Sequence, residues 1–246
     1  VTNAAVAPGT YTLSETALTG YAAGAWSCSA GTLTGNSLVL AGGQAATCTI
    51  NNNDIAPVLT LAKTINGRAV ATDQFQLNIN NGGPTVTSTG AQAAISTTPF
   101  NATAGTAYSL TETYTGTPPA DSAYYFEIYS CNNATSGGTV VAPGTGTSIA
   151  VTPAVGDDIT CTFVNTPVPS TAITSKVANP ASGSTVAIGS TIAYSLSTLI
   201  GNSPNQAPIV LTDTLGAGLT VGTLPAGCSA AGQVITCTIP AGTVPG

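Results

Sequence analysis

Polar and apolar residues alternate along many short segments of this chain, and in three of them a polar residue continues an apolar face. The same-parity positions in these segments are Leu59, Leu61 and Lys63; Tyr108, Leu110 and Glu112; and Cys161, Phe163 and Asn165. A period of two predicts strands with one buried face, because successive side chains of a strand point to opposite sides. No segment sustains the apolar spacing of an amphipathic helix, so the pattern predicts an all-β protein.

Lys63, Glu112 and Asn165 are the candidate site, because their strand parity directs all three side chains toward an apolar core. Burying an isolated charge in such a core is costly. A lysine and a glutamate aimed at the same core must therefore either form an ion pair or react.

Three landmarks occur twice in the same order and define an internal repeat. They are a Tyr-x-Leu-x-Glu segment, an aromatic-Ser-Cys tripeptide, and a Thr-Cys-Thr segment with an asparagine four positions after its cysteine. The matching ranges are 11–15 and 108–112, 26–28 and 129–131, and 47–52 and 160–165. Glu15 and Asn52 of the first copy therefore match Glu112 and Asn165. A lysine to match Lys63 would come from upstream sequence or from another chain.

The repeat divides the chain into three expected modules. Residues 1–56 correspond to the back part of a β-sandwich, 57–168 to a complete sandwich, and 169–246 to a module of a different pattern that lacks its closing strands. Neither end module is expected to close a sandwich from its own residues. We expect the missing strands to come from a longer polypeptide or from adjacent copies in a fibre, since exposed strand edges are normally covered.

Within the middle module, strands are predicted over Pro57–Lys63, Asp73–Ile79 and Ala123–Tyr129. Asn66-Gly67 lies between the first two strands and is a dipeptide typical of tight hairpin turns. The first two strands are therefore expected to form a hairpin.

Composition favours several small β modules over one large core. The 246 residues include 28 glycines and 16 prolines. Only 5% of the residues are charged whereas 43% are hydrophobic, which excludes ordinary disorder. Three basic residues and a net charge of -6 leave no cationic surface for nucleic acid or anionic membranes, and no apolar run is long enough to span a bilayer.

Six cysteines occur without any histidine or Cys-x-x-Cys motif, which argues against a metal site. One disulfide in each module is predicted, and the other connectivities of six cysteines stay open. The predicted pairs are Cys28–Cys48, Cys131–Cys161 and Cys228–Cys237. Disulfides indicate an oxidising, extracellular compartment. With no histidine, and with the cysteines in bridges, the common nucleophilic sites cannot form, so neither enzymatic activity nor a cofactor is expected.

In this order, the Lys63, Tyr108–Glu112 and Cys161–Asn165 segments resemble those of SpaA-like or Cna B-type domains, the prealbumin-like β-sandwiches of bacterial pilins and surface adhesins. Residues 169–246 resemble an Ig-like repeat of large bacterial surface proteins. The motifs behind this second resemblance are Lys176, Tyr194–Leu196, Asp213–Leu215 and Gly218–Thr220. The two resemblances imply tandem Ig-like or prealbumin-like β-sandwich modules.

The first resemblance implies an intramolecular isopeptide bond, in which the uncharged Lys63 amine attacks the Asn165 carboxamide and expels ammonia while Glu112 shuttles protons. The alternative is a buried Lys63–Glu112 ion pair with Asn165 as its hydrogen-bond partner. In the last module, Lys176 and Asp213 are partial matches to such a site, and its acceptor would lie beyond residue 246.

The expected function is structural and non-catalytic. The chain would be an array of modules in a secreted bacterial surface protein, serving as an adhesin stalk, a pilus-like shaft or an extracellular filament. Its partners would be neighbouring modules of the same long chain or other copies in a fibre. The alternative is an adhesin module that binds a glycan or a host protein, in which Trp26 and the tyrosines of residues 124–129 would stack on sugars.

Overall fold

The computed structural model describes residues 4–116 and 121–246 of the chain. Strands dominate these residues, and one short 3-10 helix covers Ser122–Tyr124, so the all-β prediction is confirmed. Among the described residues, no helix is both long and apolar enough to cross a membrane.

The amino-terminal region, residues 4–56, contains short strands in three small sheets. The strands are β1 (Gly9–Thr12), β2 (Tyr21–Ala23), β3 (Ser27–Cys28), β4 (Thr32–Thr34), β5 (Ser37–Leu40), β6 (Cys48–Thr49) and β7 (Asn52–Asp54). The sheets have the orders β1-β5-β4, β2-β7 and β3-β6. Among the described residues of this region, the buried hydrophobic side chains are Leu38 and Leu40, so the region's own core is small.

The middle region, residues 57–168, is a sandwich of two sheets. Its strands are β8 (Val58–Ile65), β9 (Gln74–Ile79), β10 (Thr85–Thr87), β11 (Ala94–Ser96), β12 (Phe100–Asn101), β13 (Tyr108–Thr115), β14 (Tyr125–Asn133), β15 (Gly144–Thr145), β16 (Ser148–Val151) and β17 (Asp158–Pro167). One sheet has the order β11-β8-β17-β14-β15, with β12 also paired to β8. The other sheet has the order β10-β9-β13-β16.

The main core lies between these two sheets. Leu59 and Leu61 of β8 and Phe163 of β17 are fully buried, and they belong to one cluster with Leu77 and Leu110 of the opposite sheet. Every second side chain of β8 from Leu59 to Ile65 is buried, as the alternation predicts. Full burial of a large apolar side chain contributes about 1.5–3 kcal/mol.

The first and last strands of the middle region lie side by side. β8 and β17 pair in parallel, whereas the other neighbouring strands of the sandwich pair antiparallel. In this register Phe163 lies opposite Lys63, and Asn165 lies opposite Ile65. Residues that are remote in sequence therefore meet on the inner face of one sheet.

The hairpin predicted at Asn66-Gly67 is wrong. β8 and β9 belong to different sheets, so the chain crosses from one sheet to the other between them. The Asp73 carboxylate holds this crossing, because it accepts hydrogen bonds from the Val70 amide at 2.9 Å and from the Tyr125 hydroxyl. Tyr125 lies 52 residues beyond Asp73, and the Asn66-Gly67 dipeptide gives no indication of a contact so distant in sequence.

The strand predicted over Ala123–Tyr129 begins later than expected and extends further. The Asp121 carboxylate accepts a hydrogen bond from the Ala123 amide at 2.9 Å and caps the 3-10 helix. β14 therefore starts at Tyr125, although the apolar pattern begins before it.

The internal repeat is visible in the strand pairing. β1 pairs with β5 as β13 pairs with β16, and β3 pairs with β6 as β14 pairs with β17. The paired cysteines and the tyrosines of the two copies therefore occupy equivalent strands. Glu15 lies beyond the end of β1, and Asn52 lies on the separate strand β7, which pairs with β2.

The carboxy-terminal region, residues 169–246, forms two small sheets. Its strands are β18 (Thr171–Asn179), β19 (Ala193–Gly201), β20 (Ile209–Thr214), β21 (Cys228–Ala231) and β22 (Val234–Ile239). β18 pairs with β19, and the second sheet has the order β20-β22-β21. Ile173 and Val177 of β18 are 66% and 62% exposed, so the described residues leave much of this sheet uncovered.

All three predicted disulfides are present, and each joins residues directly opposite each other on neighbouring antiparallel strands. The pairs are Cys28–Cys48 on β3 and β6, Cys131–Cys161 on β14 and β17, and Cys228–Cys237 on β21 and β22. Antiparallel pairing alone brings the two backbones close enough for such bridges. The strand register therefore also determines which cysteines bond.

We expect the Cys131–Cys161 bridge to stabilise its module more than the Cys228–Cys237 bridge does. The two bridges span 30 and 9 residues, and a longer closed loop removes more entropy from the unfolded chain. Replacing Cys131 and Cys161 by alanine should lower the free energy of unfolding of the middle module by about 3 kcal/mol. Urea unfolding followed by circular dichroism measures this, with Cys228→Ala/Cys237→Ala as the matched control. A larger loss in the control would contradict the expectation.

Candidate functional site

Lys63, Glu112 and Asn165 converge in the core of the sandwich. Lys63 on β8 and Asn165 on β17 come from the adjacent parallel strands of one sheet, and Glu112 on β13 comes from the opposite sheet. Lys63 is 1% exposed, Glu112 is 3% exposed and Asn165 is 0% exposed. The structure therefore brings all three predicted site residues together inside the protein.

One carboxylate oxygen of Glu112 contacts both nitrogens. Its Oε1 accepts a hydrogen bond from Lys63 Nζ at 2.6 Å and another from Asn165 Nδ2 at 2.6 Å. The Phe75 ring packs against the amine, with its centroid 4.2 Å from Nζ. The amine and the carboxamide are thus held on the same oxygen, beside an aromatic face that attracts a cation.

The amide nitrogen of Asn165 has a second hydrogen-bond partner. Its Nδ2 donates a second hydrogen bond to the Tyr114 hydroxyl oxygen at 2.9 Å, and the Tyr114 hydroxyl donates to the Glu127 carboxylate. Asn165 Oδ1 and Glu112 Oε2 are buried and have no hydrogen-bond partner within the described residues. Each such atom costs about 1–3 kcal/mol. As a static hydrogen-bond network, the site is therefore poorly satisfied.

Burial controls the protonation of the site. It lowers the pKa of Lys63 to about 8, an effect that the neighbouring Glu112 carboxylate partly opposes. Burial also raises the pKa of Glu112, and Lys63 opposes that shift in turn. Both shifts favour the neutral forms, an unprotonated amine and a protonated carboxyl, over the charged pair.

These groups have the chemical capacity for amide exchange. An uncharged amine is a nucleophile, and a carboxamide is its electrophile. A carboxyl that contacts both nitrogens can take a proton from one and give it to the other. Among the described residues, no cluster of three or more His, Cys, Asp or Glu side chains could hold a metal ion.

The partial matches in the outer regions are more open. Asn52 donates a hydrogen bond to Glu15, as Asn165 does to Glu112, but both residues are exposed. Lys176 donates to Asp213 at 2.7 Å, and its side chain is 39% exposed. This second pair is a surface salt bridge, which contributes little to stability.

Tyr114 and Glu127 were missed in the sequence analysis, although both had a signal. Tyr114 lies two positions after Glu112 on β13, so the alternation that selects Glu112 also selects Tyr114. Glu127 lies directly opposite Asn165 in the β14–β17 ladder. Four residues before Cys131 on β14 and four residues after Cys161 on β17 are Glu127 and Asn165, so the predicted disulfide also predicts this pairing.

The aromatic residues considered for sugar stacking are mostly used in packing. Tyr125 is 6% exposed and packs edge-on against Phe75, with ring centroids 5.4 Å apart. Tyr129 packs against Phe163 at 6.1 Å, and Trp26 is half-buried. These residues do not form a shared aromatic platform.

Two family models match the chain, and both describe a prealbumin-like fold domain of the SpaA type. One match covers residues 58–167 and the other covers residues 1–50. Together the matches span more than half of the 246 residues. No curated protein sequence is significantly similar to the chain.

Solved structures of bacterial pilins align with the chain at low identity. The major pilin of Streptococcus pyogenes is 13% identical, over 64% of this chain and 70% of that chain, with a TM-score of 0.30. A mutant of a major pilin from that species is 14% identical, over 65% of this chain and 70% of that chain, with a TM-score of 0.29. A further major pilin from the species is 10% identical, over 65% and 68% of the two chains, with a TM-score of 0.30.

Asn165→Ala should leave a buried Lys63–Glu112 pair that has no carboxamide to react with. The pKa of Lys63 in the folded protein is about 8, below its ordinary value of 10.5, so the unfolded chain binds more protons between these values. The destabilisation from burying the charged lysine is therefore complete below the folded pKa and is relieved as the pH rises. The free energy of unfolding should increase by about 1–2 kcal/mol between about pH 8 and about pH 9.5.

Urea unfolding at a series of pH values measures this increase. The control is the Lys63→Met/Asn165→Ala double variant, which lacks the amine and should show no corresponding increase. The same pH dependence in both variants would contradict a lowered Lys63 pKa.

Proposed function

Residues 1–50 and 58–167 belong to SpaA-type prealbumin-like fold domains, and from this premise we propose that the chain is a non-catalytic structural part of a bacterial surface protein. It would serve there as a stalk or pilus-like filament of tandem modules. The family matches confirm the SpaA-like resemblance of the amino-terminal and middle segments. Residues 169–246 lie outside both matches, and their role as an Ig-like surface-protein repeat is part of the proposal.

One observation supports the proposal most strongly: an amine and a carboxamide share a single buried carboxylate oxygen. We infer that Lys63 and Asn165 become joined by an isopeptide bond. The neutral Lys63 Nζ attacks Asn165 Cγ, so the Nζ–Cγ bond forms and the Cγ–Nδ2 bond breaks. One proton passes from the attacking nitrogen through the Glu112 carboxyl to the departing nitrogen, which leaves as ammonia. Glu112 returns to its starting state, and the site reacts once.

Burial favours the neutral forms of Lys63 and Glu112, and it also makes bond formation energetically favourable. The unreacted module holds a lysine charge in an apolar core, and desolvation of that charge is costly. An amide carries no charge, and the proton that the lysine ammonium gives up stays on Glu112, so bond formation leaves neither charge of the buried pair. Ammonia then escapes into solvent, which makes the reverse reaction unfavourable.

The position of the bond suits a module that bears tension. β8 and β17, through which the chain enters and leaves the sandwich, lie parallel and adjacent. Tension applied at the two ends of the module would pull these strands in opposite directions along their shared ladder. A covalent link between Lys63 and Asn165 would carry the force directly from one strand to the other and bypass the rest of the sandwich.

The remaining chemistry of the chain agrees with an extracellular structural role. A disulfide in each of the three regions restricts unfolding and fits an oxidising environment. Charged residues are only 5% of the chain, so little electrostatic repulsion opposes packing against neighbouring modules or other copies in a fibre. These partners, like the surface location, are part of the proposal.

The intact mass of the purified protein tests the isopeptide bond. Under reducing conditions the wild-type protein should be lighter than its sequence mass by one ammonia. Lys63→Met and Asn165→Ala should have their full sequence masses, because each lacks one reactant. Glu112→Gln should also have its full mass, because a carboxamide does not shuttle protons.

Glu15→Gln is the matched control, since it makes the same substitution at the equivalent position of the first repeat and should retain the mass deficit. A wild-type protein at its full sequence mass would overturn the proposed crosslink.

Single-molecule pulling should show the mechanical effect of the bond. In the wild-type protein the segment from Lys63 to Asn165 should not extend, even after reduction. In Asn165→Ala the module should unfold, and reduction of Cys131–Cys161 should release a further 30-residue loop. That loop adds about 10 nm of contour length. A similar increase on reduction of the wild-type protein would show that the segment is not crosslinked.

A further inference from the structure

A tyrosine and a glutamate outside the reacting trio hold the Asn165 carboxamide in place. Tyr114 donates its hydroxyl proton to Glu127 and accepts a hydrogen bond from Asn165 Nδ2 at 2.9 Å. Glu127 is half-buried on β14, directly opposite Asn165 of β17. These contacts form a chain of hydrogen bonds that leads from the buried site toward the surface.

We propose that Tyr114 and Glu127 are positioning residues, which turn the amide nitrogen of Asn165 toward Glu112 before the crosslink forms. This inference rests on the isopeptide bond proposed above. A tyrosine hydroxyl has one proton to donate, and Glu127 receives it. Tyr114 can therefore only accept from Asn165, so Nδ2 must face it. The reverse orientation would place Asn165 Oδ1 against the Tyr114 oxygen, with no proton between two acceptors.

The orientation determines which atom of Asn165 meets the proton shuttle. Nδ2 is the atom that departs, and it lies 2.6 Å from Glu112 Oε1. The same oxygen lies 2.6 Å from Lys63 Nζ. As the Nζ–Cγ bond forms and the Cγ–Nδ2 bond breaks, a proton moves from Nζ to Oε1 and then to Nδ2. No rotation of the carboxamide is needed for this transfer.

Tyr114 itself exchanges no proton in this step. Burial, together with the hydrogen bond to Glu127, raises the pKa of Tyr114, so its hydroxyl remains protonated. The Tyr114 ring has a separate packing role, because it lies 5.4 Å from the Phe75 ring and 5.5 Å from the Tyr125 ring, centroid to centroid. Tyr114→Phe removes the hydroxyl and keeps that packing.

Variants of Tyr114 and Glu127 distinguish an effect on the orientation of the Asn165 carboxamide from an effect of the Glu127 charge. Glu127→Ala frees the Tyr114 proton to bind Asn165 Oδ1, so the carboxamide can reverse. Glu127→Gln keeps a carbonyl oxygen that accepts from Tyr114 but removes the charge. Tyr114→Phe removes the contact with Nδ2. The control is Tyr124→Phe, the same substitution at another tyrosine that packs on this aromatic cluster.

The test is the rate of ammonia loss from the full chain, synthesised by oxidising cell-free translation and sampled by intact mass after translation stops. Glu127→Ala and Tyr114→Phe should slow the reaction about ten- to a hundredfold, the effect expected when a reacting group is misplaced. Glu127→Gln and Tyr124→Phe should stay within about twofold of wild type. Recovery of the rate in Glu127→Gln is a result that a purely structural role for Glu127 does not require.

A second measurement reads the orientation directly in the Lys63→Met background, where no bond can form. Nuclear Overhauser contacts between the Asn165 side-chain NH2 and the Tyr114 ring should be strong, should persist with Glu127→Gln and should weaken with Glu127→Ala. The thermal unfolding of these variants, in the same background, checks that they fold.

The outcomes distinguish this inference from the proposed function. Ammonia loss at the same rate in every variant would overturn the positioning role and leave the isopeptide bond intact. Equal slowing by Glu127→Gln and Glu127→Ala would overturn it as well, because charge and not hydrogen-bond acceptance would then be required. A wild-type chain at its full mass would overturn both the bond and the positioning role.

Discussion

The burial of one lysine amine imposes constraints on the whole middle sandwich. Lys63 is 1% exposed, and its amine lies between the Glu112 carboxylate and the Phe75 ring. An uncompensated charge at this depth would cost several kcal/mol. The opposite sheet must therefore present a carboxylate at this point. The parallel pairing of β8 and β17 adds Asn165 from the neighbouring strand. The strand order of the sandwich therefore brings the three residues of the site together.

The same burial explains why a resting ion pair is a poor end state. Desolvation offsets much of the attraction within a buried pair. Asn165 Oδ1 and Glu112 Oε2 add further destabilisation, because both are buried without a partner in the described part of the chain. Conversion of the amine and carboxamide to an amide removes the lysine charge, and the proton that the lysine gives up neutralises Glu112. The energetic penalty of the unreacted core thereby becomes part of the driving force for the crosslink.

Much of this arrangement could be predicted from the sequence because strands have a simple period. Parity alone placed Lys63, Glu112 and Asn165 on inner faces, and the recurring cysteines gave the disulfide pairs. The path between sheets could not be predicted, since Asn66-Gly67 signals a turn without specifying which sheet receives the next strand. In the structure the crossing segment is hydrogen-bonded, through Asp73, to Tyr125, which lies 52 residues further along the chain.

Proteolysis with trypsin tests the crosslink most directly, because the chain contains only three cleavage sites. These sites are Lys63, Arg68 and Lys176. An isopeptide bond blocks cleavage after Lys63 and attaches its segment to the fragment that contains Asn165. A reduced, denatured digest should therefore yield one branched product that combines residues 1–68 and 69–176 and is lighter by one ammonia. Separate linear fragments 1–63 and 69–176 would contradict the account.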